Sequence, residues 1–531
     1  MRSRLVAQVC LPPLFLAAAL LAFATNLTSY FLSDDFVQIG NVLHGDFSPV
    51  WGQSHGGFFR PLFILSYIID TRVWHERALG YHLTNITIHA LNSFCVFRLG
   101  LRLFAKLKLP ARSGKAAAGA AAALFLLHPS HTEAVIWISG RADLIATLFC
   151  LLSLWCYCVF VQGPGRAWLA LALVLGTAAL LAKESAVCLP FLILALGLFF
   201  SRRKKAFADA GLFVIVLLAF ILVRAYFLGV FLGGYGARQH LNFAPGWIRD
   251  RLLEAIVRSF LPALPAAWSF FLFKPLQSPL FFIIALAVFT LIAGAIIIRR
   301  RLYDASQRES QNRFLLLLAS LFLISLLPVI NLRLSLYQPL GERFLYLPTV
   351  WSALAIGCVL TILARRPKVW LLLLICVLGF YSWRLYAANQ SWREAAQLAR
   401  SIRDAFSNSA SPRRLTILNV PDNLRGVPVF HNGLPEALQF FASRQQFERV
   451  ETNAFQTLQS TGDLVTVRQA AGALTLEPVA HGDTFDRPSS SECLELLSQS
   501  AGGLTFKPQP CFNPGEVYFF SGGKMQEIVG Q

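Results

Sequence analysis

The sequence predicts a polytopic α-helical membrane protein that carries a small α/β or mainly β domain at its C-terminal end. Three observations predict it. Hydrophobic residues fill 56% of the 531 positions and charged residues only 14%, against about 25% charged in soluble domains. Apolar runs near the ~20 residues needed to cross a bilayer recur along residues 1–387. From Ala388 onward the pattern changes to short alternating segments separated by turn residues.

Eleven spans are read from the apolar runs: 5–24, 80–103, 116–136, 141–161, 167–182, 185–200, 210–231, 280–298, 314–331, 346–364 and 369–387. Every second connection is basic, as in "KLKLPARSGK" (106–115), "SRRKK" (201–205), "RRRLYDASQRESQNR" (299–313) and "ARRPK" (364–368). The positive-inside rule places the N-terminus and these loops in the cytoplasm. Outside then lie 25–79, the turn around 128–140, the turn at 182–185, 232–279, 332–345 and everything after Tyr386. The first run also has features of a cleavable signal peptide, "MRSR" and "AFA". Either reading leaves Asp34 outside. A multi-pass inner (cytoplasmic) membrane protein with an extracytoplasmic C-terminal domain is the expectation, with domains at 1–387 and 388–531.

The net charge of +19 does not indicate nucleic acid. From Ala388 to the end there are 12 Lys/Arg against 14 Asp/Glu, leaving 35 of the 47 basic residues in the membrane body, most of them in short loops. No long basic patch with interleaved aromatics occurs. In the C-terminal segment "RRLTILNV" and "DLVTVRQAAGALTLEPV" read as strands, "PDNLRGVP" as turns and "GLPEALQFFASRQQF" as a helix. Cys493 and Cys511 are the only cysteines there, and an oxidising exterior would let them pair; two unpaired thiols are the alternative. The other eight lie in or near apolar spans, where Cys behaves as a small hydrophobe. "PGWIRDRLLEAIVRSFLPAL" (245–264) is amphipathic and suits the outer interface, and "GVFLGGYGARQHLNFAPG" (229–246) could serve as a lid or as an ordinary connection.

Ionisable residues beside membrane spans are costly and point to function. Widely separated segments deliver them to the outer side: Asp34 and Asp35 in "YFLSDDFVQIGN", Arg60 in "FFRPL", Glu133, Arg141 and Asp143 in "HPSHTEAVIWISGRAD", Lys183 and Glu184 in "AKES", Glu342 and Arg343 in "GERFLYLP". Membrane anchoring and helix-end pairing is the alternative for any single pair. No GxxxxGK[ST] or GxGxxG phosphate cradle occurs. An enzyme working outside therefore needs a donor that crosses the bilayer, and a polyprenyl-phosphate sugar meets that need. Transfer to a hydroxyl needs a general base and fixed cations for the departing phosphate. Asp34 or Asp35, with Arg60, Arg141, Lys183 and Arg343, supplies that set.

"DDF", "FRPL…GYHLTNITIHALN", "LFLLHPSHTEAVIWISGRADLIATLF", "AKESAVCLPFLIL" and "ERFLYLP" occur in this order. The chain resembles, over residues 5 to 390, the membrane domain of the transmembrane-and-tetratricopeptide-repeat O-mannosyltransferases and their bacterial relatives. The resemblance implies a GT-C glycosyltransferase that inverts the sugar of a polyprenyl-phosphate donor. It implies a catalytic acidic pair at Asp34 and Asp35, and motif positions at Arg60, His128, His131, Glu133, Arg141, Asp143, Lys183, Glu184, Glu342 and Arg343. No 34-residue helical repeat follows the last span in this sequence, so the acceptor is not carried over: a protein Ser/Thr and an envelope glycan or lipid both stay open. His128, His131 and Glu133 could be read as a metal site, although HxxH is not the zincin spacing; hydrogen bonding or packing is the other reading. A Ca²⁺ or Mg²⁺ held by Asp34, Asp35 and the sugar phosphate is chemically reasonable. A flippase of lipid-linked sugars and a non-catalytic binding protein are the alternative functions; the flippase would place its charges at the bilayer midplane and show repeated halves.

Overall fold

The computed structural model describes residues 11–52, 57–107, 110–163, 165–201, 203–231, 242–260, 304–332, 334, 338–363, 366–407, 414–440, 447, 449–470, 472–479, 484–500 and 503–528. Among them four helices are long and apolar enough to cross a membrane: Ile138–Gln162, Arg203–Leu228, Ala305–Val329 and Pro367–Phe406. Leu11–Ala22, Arg166–Ala182, Glu184–Phe200 and Pro348–Ile362 are shorter apolar helices. The chain is a multi-pass membrane protein. The span expected at 280–298 and most of the loop 229–246 lie outside the described residues.

Two expected spans differ in instructive ways. Residues 80–103 form the helix Ala78–Phe104, long enough at 27 residues, yet one face carries His82, Asn85, His89 and Asn92, all buried. Their spacing of three and four residues stacks them on one side. Asn85 Nδ2 donates to the Val135 carbonyl at 3.2 Å, Asn92 Nδ2 to the Leu144 carbonyl at 3.0 Å, and a His82 ring nitrogen bonds the Ser29 carbonyl at 3.0 Å. A polar stripe inside a helical bundle thus fastens loops that have no ladder of their own.

The span expected at 116–136 is corrected. Its helix is Ala111–Leu126. His128 is extended because the following Pro129 disfavours helix at the residue before it. Residues 129–140 then form short turns, Pro129–His131, Thr132–Val135 and Ile138–Gly140, that lead into the helix Arg141–Gln162. Gly140 is needed there: a Cβ would lie 2.5 Å from the Glu133 carbonyl oxygen. These turns are buried, so their polar groups must be satisfied internally.

The helix Pro367–Ser407 runs unbroken through the boundary expected at 387/388. Beyond the apolar part, Trp392, Ala395, Ala396, Leu398, Ala399, Ile402 and Phe406 are all buried, a period that makes an amphipathic continuation. The strands begin at Arg414. Three four-stranded sheets follow among the described residues. One orders Lys524–Glu527, Val517–Ser521, Arg414–Ile417 and Arg449–Thr452; the second Val427–Pro428, Val420–Leu424, Phe455–Leu458 and Thr484–Asp486; the third Val465–Ala470, Ala473–Pro478, Gly503–Pro508 and Leu494–Ser500. Strand 414–417 pairs in parallel with 449–452 and 517–521, and 420–424 with 455–458; the remaining pairs are antiparallel. Cys493 and Cys511 are joined by a disulfide, with Cα atoms 5.2 Å apart.

The strand region docks on the helical body at the start of the helix Asp34–Leu43. Phe36 stacks on Phe430 with ring centroids 5.6 Å apart. The Ser33 amide donates to the Val429 carbonyl at 2.9 Å, and the Asn432 amide donates to Ser33 Oγ at 3.2 Å. Gly433, at φ +84°, lets the two backbones approach: a Cβ would sit 2.5 Å from the Ser33 carbonyl oxygen.

Candidate active site

Asp34 and Asp35 begin a ten-residue helix, where carboxylates complement the exposed amides and the positive end of the dipole. Ser33 before them has φ +50°, unusual for a residue with a side chain. Its two hydrogen bonds to residues 429 and 432 hold it there, and strain held by surrounding contacts is a feature of functional sites. Consecutive on one helix, the two carboxylates point about 100° apart. Asp34 is half-buried and lines a cavity of about 380 Å³. Asp35 is buried and is absent from that lining. Its Oδ1 accepts from the Ser139 amide at 2.8 Å and the Ser139 hydroxyl at 2.6 Å, and its Oδ2 from the Leu32 amide at 3.1 Å. Burial pushes its carboxyl up to about 7, with those three donors limiting the rise.

The cavity is walled on one side by the helical body. Arg60, Asp143, Lys183 and Arg343 line it, with Phe58, Trp137 and Ser139 among their neighbours. Each cation has its own carboxylate. Arg60 Nε donates to Glu184 Oε2 at 2.9 Å, and its guanidinium carbon lies 3.8 Å over the Phe58 ring. Lys183 Nζ donates to Asp143 Oδ2 at 2.5 Å. Arg343 pairs with Glu133, whose Oε2 also accepts from the Arg343 amide at 2.7 Å. An ammonium carries three donors, so the Asp143 bond fixes Lys183 without exhausting it. Paired carboxylates keep partly buried cations charged and in place.

Other motif residues stand behind the wall. Arg141, expected among the phosphate-binding cations, is fully buried and absent from the lining. Its guanidinium pairs with Asp70 Oδ2 at 2.6 Å and donates to Asn85 Oδ1 at 2.7 Å and the Tyr81 carbonyl at 3.1 Å. Arg141 thus joins three helices behind the cavity. Glu342 pairs with Arg258, both buried. His131 bonds Thr349 Oγ1 at 2.8 Å, and its ring centroid lies 4.5 Å from those of Phe125 and Tyr346. His128 accepts from the Ser130 amide and bonds the Ser259 carbonyl at 3.2 Å. These histidines pack and brace the turn. Among the described residues no group of three or more His, Cys, Asp or Glu side chains is placed to hold a metal ion. Asp35 is turned to Ser139 while Asp34 faces the cavity, so the two aspartates do not meet at one point.

The opposite wall comes from the strand region, which the sequence reading did not connect to the site. Asp422, Asn423, Gly426, Pro428, His431 and Asn432 line the same cavity. Asn432 Nδ2 donates to Asp34 Oδ1 at 2.7 Å. Arg258 and Asp70, partners of two motif residues, were likewise not singled out as a site. The turn chemistry of "PDNLRGVP" marked turns just before His431 and Asn432, but nothing in its spacing tells which surface that segment meets.

No family model matches the chain. It is similar to the protein O-mannosyl-transferase TMTC4 of Mus musculus, 27% identical over 72% of this chain and 60% of that protein. Tmtc1 of Drosophila melanogaster, also a protein O-mannosyl-transferase, is 38% identical over 28% of this chain and 17% of its own length. The chain thus spans at most about 60% of these relatives. A crystal structure of ArnT from Cupriavidus metallidurans bound to undecaprenyl phosphate aligns over 93% of this chain and 97% of its own, at 13% identity and TM-score 0.41. Over 72% of its length, then, the chain is similar to protein O-mannosyl-transferases at 26–27% identity.

Proposed function

We propose that this protein is a membrane glycosyltransferase that moves a sugar from a polyprenyl-phosphate donor to a hydroxyl acceptor. By its relatives' names the sugar is mannose and the acceptor a protein hydroxyl. One observation carries the reading: Asp34, Arg60, Lys183 and Arg343, drawn from four separate parts of the chain, line one cavity. The charge pattern of the loops supports a cavity and strand region on the extracytoplasmic face of the inner membrane.

In this reading the acceptor oxygen attacks the anomeric carbon as its proton passes to Asp34. The bond from that carbon to the phosphate oxygen breaks, and the configuration inverts. The leaving polyprenyl phosphate takes the electron pair and rests against Lys183, Arg60 and Arg343. Those cations are held before the reaction by Asp143, Glu184 and Glu133, so little reorganisation accompanies the charge that develops. Asp35 holds Ser139 and the start of the helix, and acts through position.

The test is transfer of labelled sugar from polyprenyl-phosphate mannose to acceptors in membranes, comparing wild type with Asp34→Asn. Label incorporated by wild type and lost in the variant, at equal amounts of folded protein, is the expected result. A wild type that uses no polyprenyl-phosphate sugar would overturn the reading and favour a carrier or binding role.

A further inference from the structure

The cavity has two chemically different walls. The helical wall presents three cations suited to a phosphate. The strand-region wall presents a carboxylate, amides and an imidazole: Asp422, Asn423, Asn432 and His431. With Asp34 beside it, that wall offers hydrogen bonds to a neutral, hydroxyl-bearing molecule.

We infer that the loop 422–432 of the strand region is the acceptor wall of the site, with His431 contacting the acceptor hydroxyl and Asn432 positioning the carboxylate of Asp34. The inference rests on the transferase reading above and deepens it. Four observations support it. Asn432 Nδ2 donates to Asp34 Oδ1 at 2.7 Å, and Asp34 makes no other hydrogen bond through its carboxylate among the described residues. One oxygen is thus fixed by the amide while the other is left to take a proton. Secondly, His431 is held by its Nδ1, 2.9 Å from Asp422 Oδ1. An ionised carboxylate only accepts, so Nδ1 carries a proton and Nε2 is the ring nitrogen left to meet a hydroxyl.

Thirdly, the pair is built rather than incidental. Asp422 also accepts from Asn423 at 2.9 Å and pairs with Arg487, which donates to the His431 carbonyl at 3.2 Å and lies 3.8 Å over the Phe455 ring. Burial works against the charge of Asp422, yet its bond to His431 and its other partners hold it below the usual carboxylate range. Its side chain is 12% exposed while that of His431 is 54% exposed: a buried anchor under an accessible ring. Finally, the loop is docked at residue 33 through backbone contacts, so its distance to Asp34 is set by main chain.

The experiment uses the full chain in membranes with polyprenyl-phosphate mannose, measuring donor binding, donor hydrolysis to water and labelling of membrane acceptors separately. His431→Ala should cut acceptor labelling at least tenfold and leave donor binding and hydrolysis within twofold. His431→Gln, which keeps a hydrogen-bonding side chain, should restore part of the labelling. Asn432→Ala should lower hydrolysis and labelling together by about tenfold with donor binding unchanged, as expected when the general base is misplaced. Arg468→Ala, on an exposed strand of the same region, serves as the control that keeps wild-type activity, and thermal unfolding reports whether each variant is folded. Unchanged labelling by His431→Ala, or equal loss of donor binding and labelling in both variants, would overturn the acceptor wall. Donor used by wild type without any acceptor labelled would overturn it as well. No donor bound or used would instead refute the transferase reading beneath it.

Discussion

The charged motif residues of this protein divide between two regions that differ in one physical respect. In the cavity wall, Asp34, Arg60, Asp143, Lys183 and Arg343 reach accessible space. In the lattice behind it, Asp35, Glu133, Arg141, Glu342 and the two histidines bond inward to partners in the protein. The residue types are the same in both regions, and the motifs interleave them: Arg141 and Asp143 are two residues apart on one helix yet fall on opposite sides of the division. What separates the two regions is therefore which side chains border the cavity and which bond only behind it.

Substitutions can break this comparison. The largest effect on activity is expected at Asp34: Asp34→Asn should lower transfer by about 10²–10⁴-fold, the span of general-base contributions, with the thermal midpoint unchanged. Arg141→Ala should do the opposite. It leaves Asp70 buried without its cation, a loss of about 3–5 kcal/mol, read as a lowered melting temperature and less folded protein in membranes. Were Arg141→Ala to fold normally and lose only donor binding, the division drawn here would fail. Lys183→Ala should fall between, cutting turnover about 10²–10³-fold as removal of a charge-stabilising donor does, with a smaller cost to stability.

Smaller effects sharpen the picture. Replacing Cys493 and Cys511 by Ser should destabilise the strand region by about 2–4 kcal/mol, measured by denaturant titration with and without reductant. Asp35→Asn should cost about 1–3 kcal/mol, because the amide places a donor where the Leu32 or Ser139 groups need an acceptor. It should also change the pH dependence. The carboxyl of Asp35 titrates near 7 in the folded protein and near 3.8 when unfolded. Its neutral form therefore favours folding fully below the unfolded value, and that contribution is lost as pH rises to about 7. The decline between those values should be shallower in Asp35→Asn.

Much of the helical body was legible in the sequence because apolar runs and basic loops obey the bilayer, a solvent with simple rules. Helices Arg141–Gln162 and Arg166–Ala182 begin and end within a residue of the expected spans. The helix Ala78–Phe104 is present too, but its buried polar stripe follows from neighbours that no periodicity reveals. The ion-pair partners were less legible. Arg60 and Glu184 are separated by 124 positions, and Arg258 and Glu342 come together only through folding.

Residue chemistry read along the chain is enough to show that it crosses a membrane several times, that carboxylates and cations gather at the ends of its apolar runs, and that a strand-bearing region follows. Hydropathy and charge act locally, and a linear reading captures them. Folding settles which aspartate of the pair meets the cavity, because Asp34 and Asp35 point about 100° apart on one helix and contacts from residues 429 and 432 fix how that helix begins. It alone brought His431 and Asn432 to Asp34 across roughly 400 positions, a contact set by backbone docking between two distant segments and by no property of either segment alone.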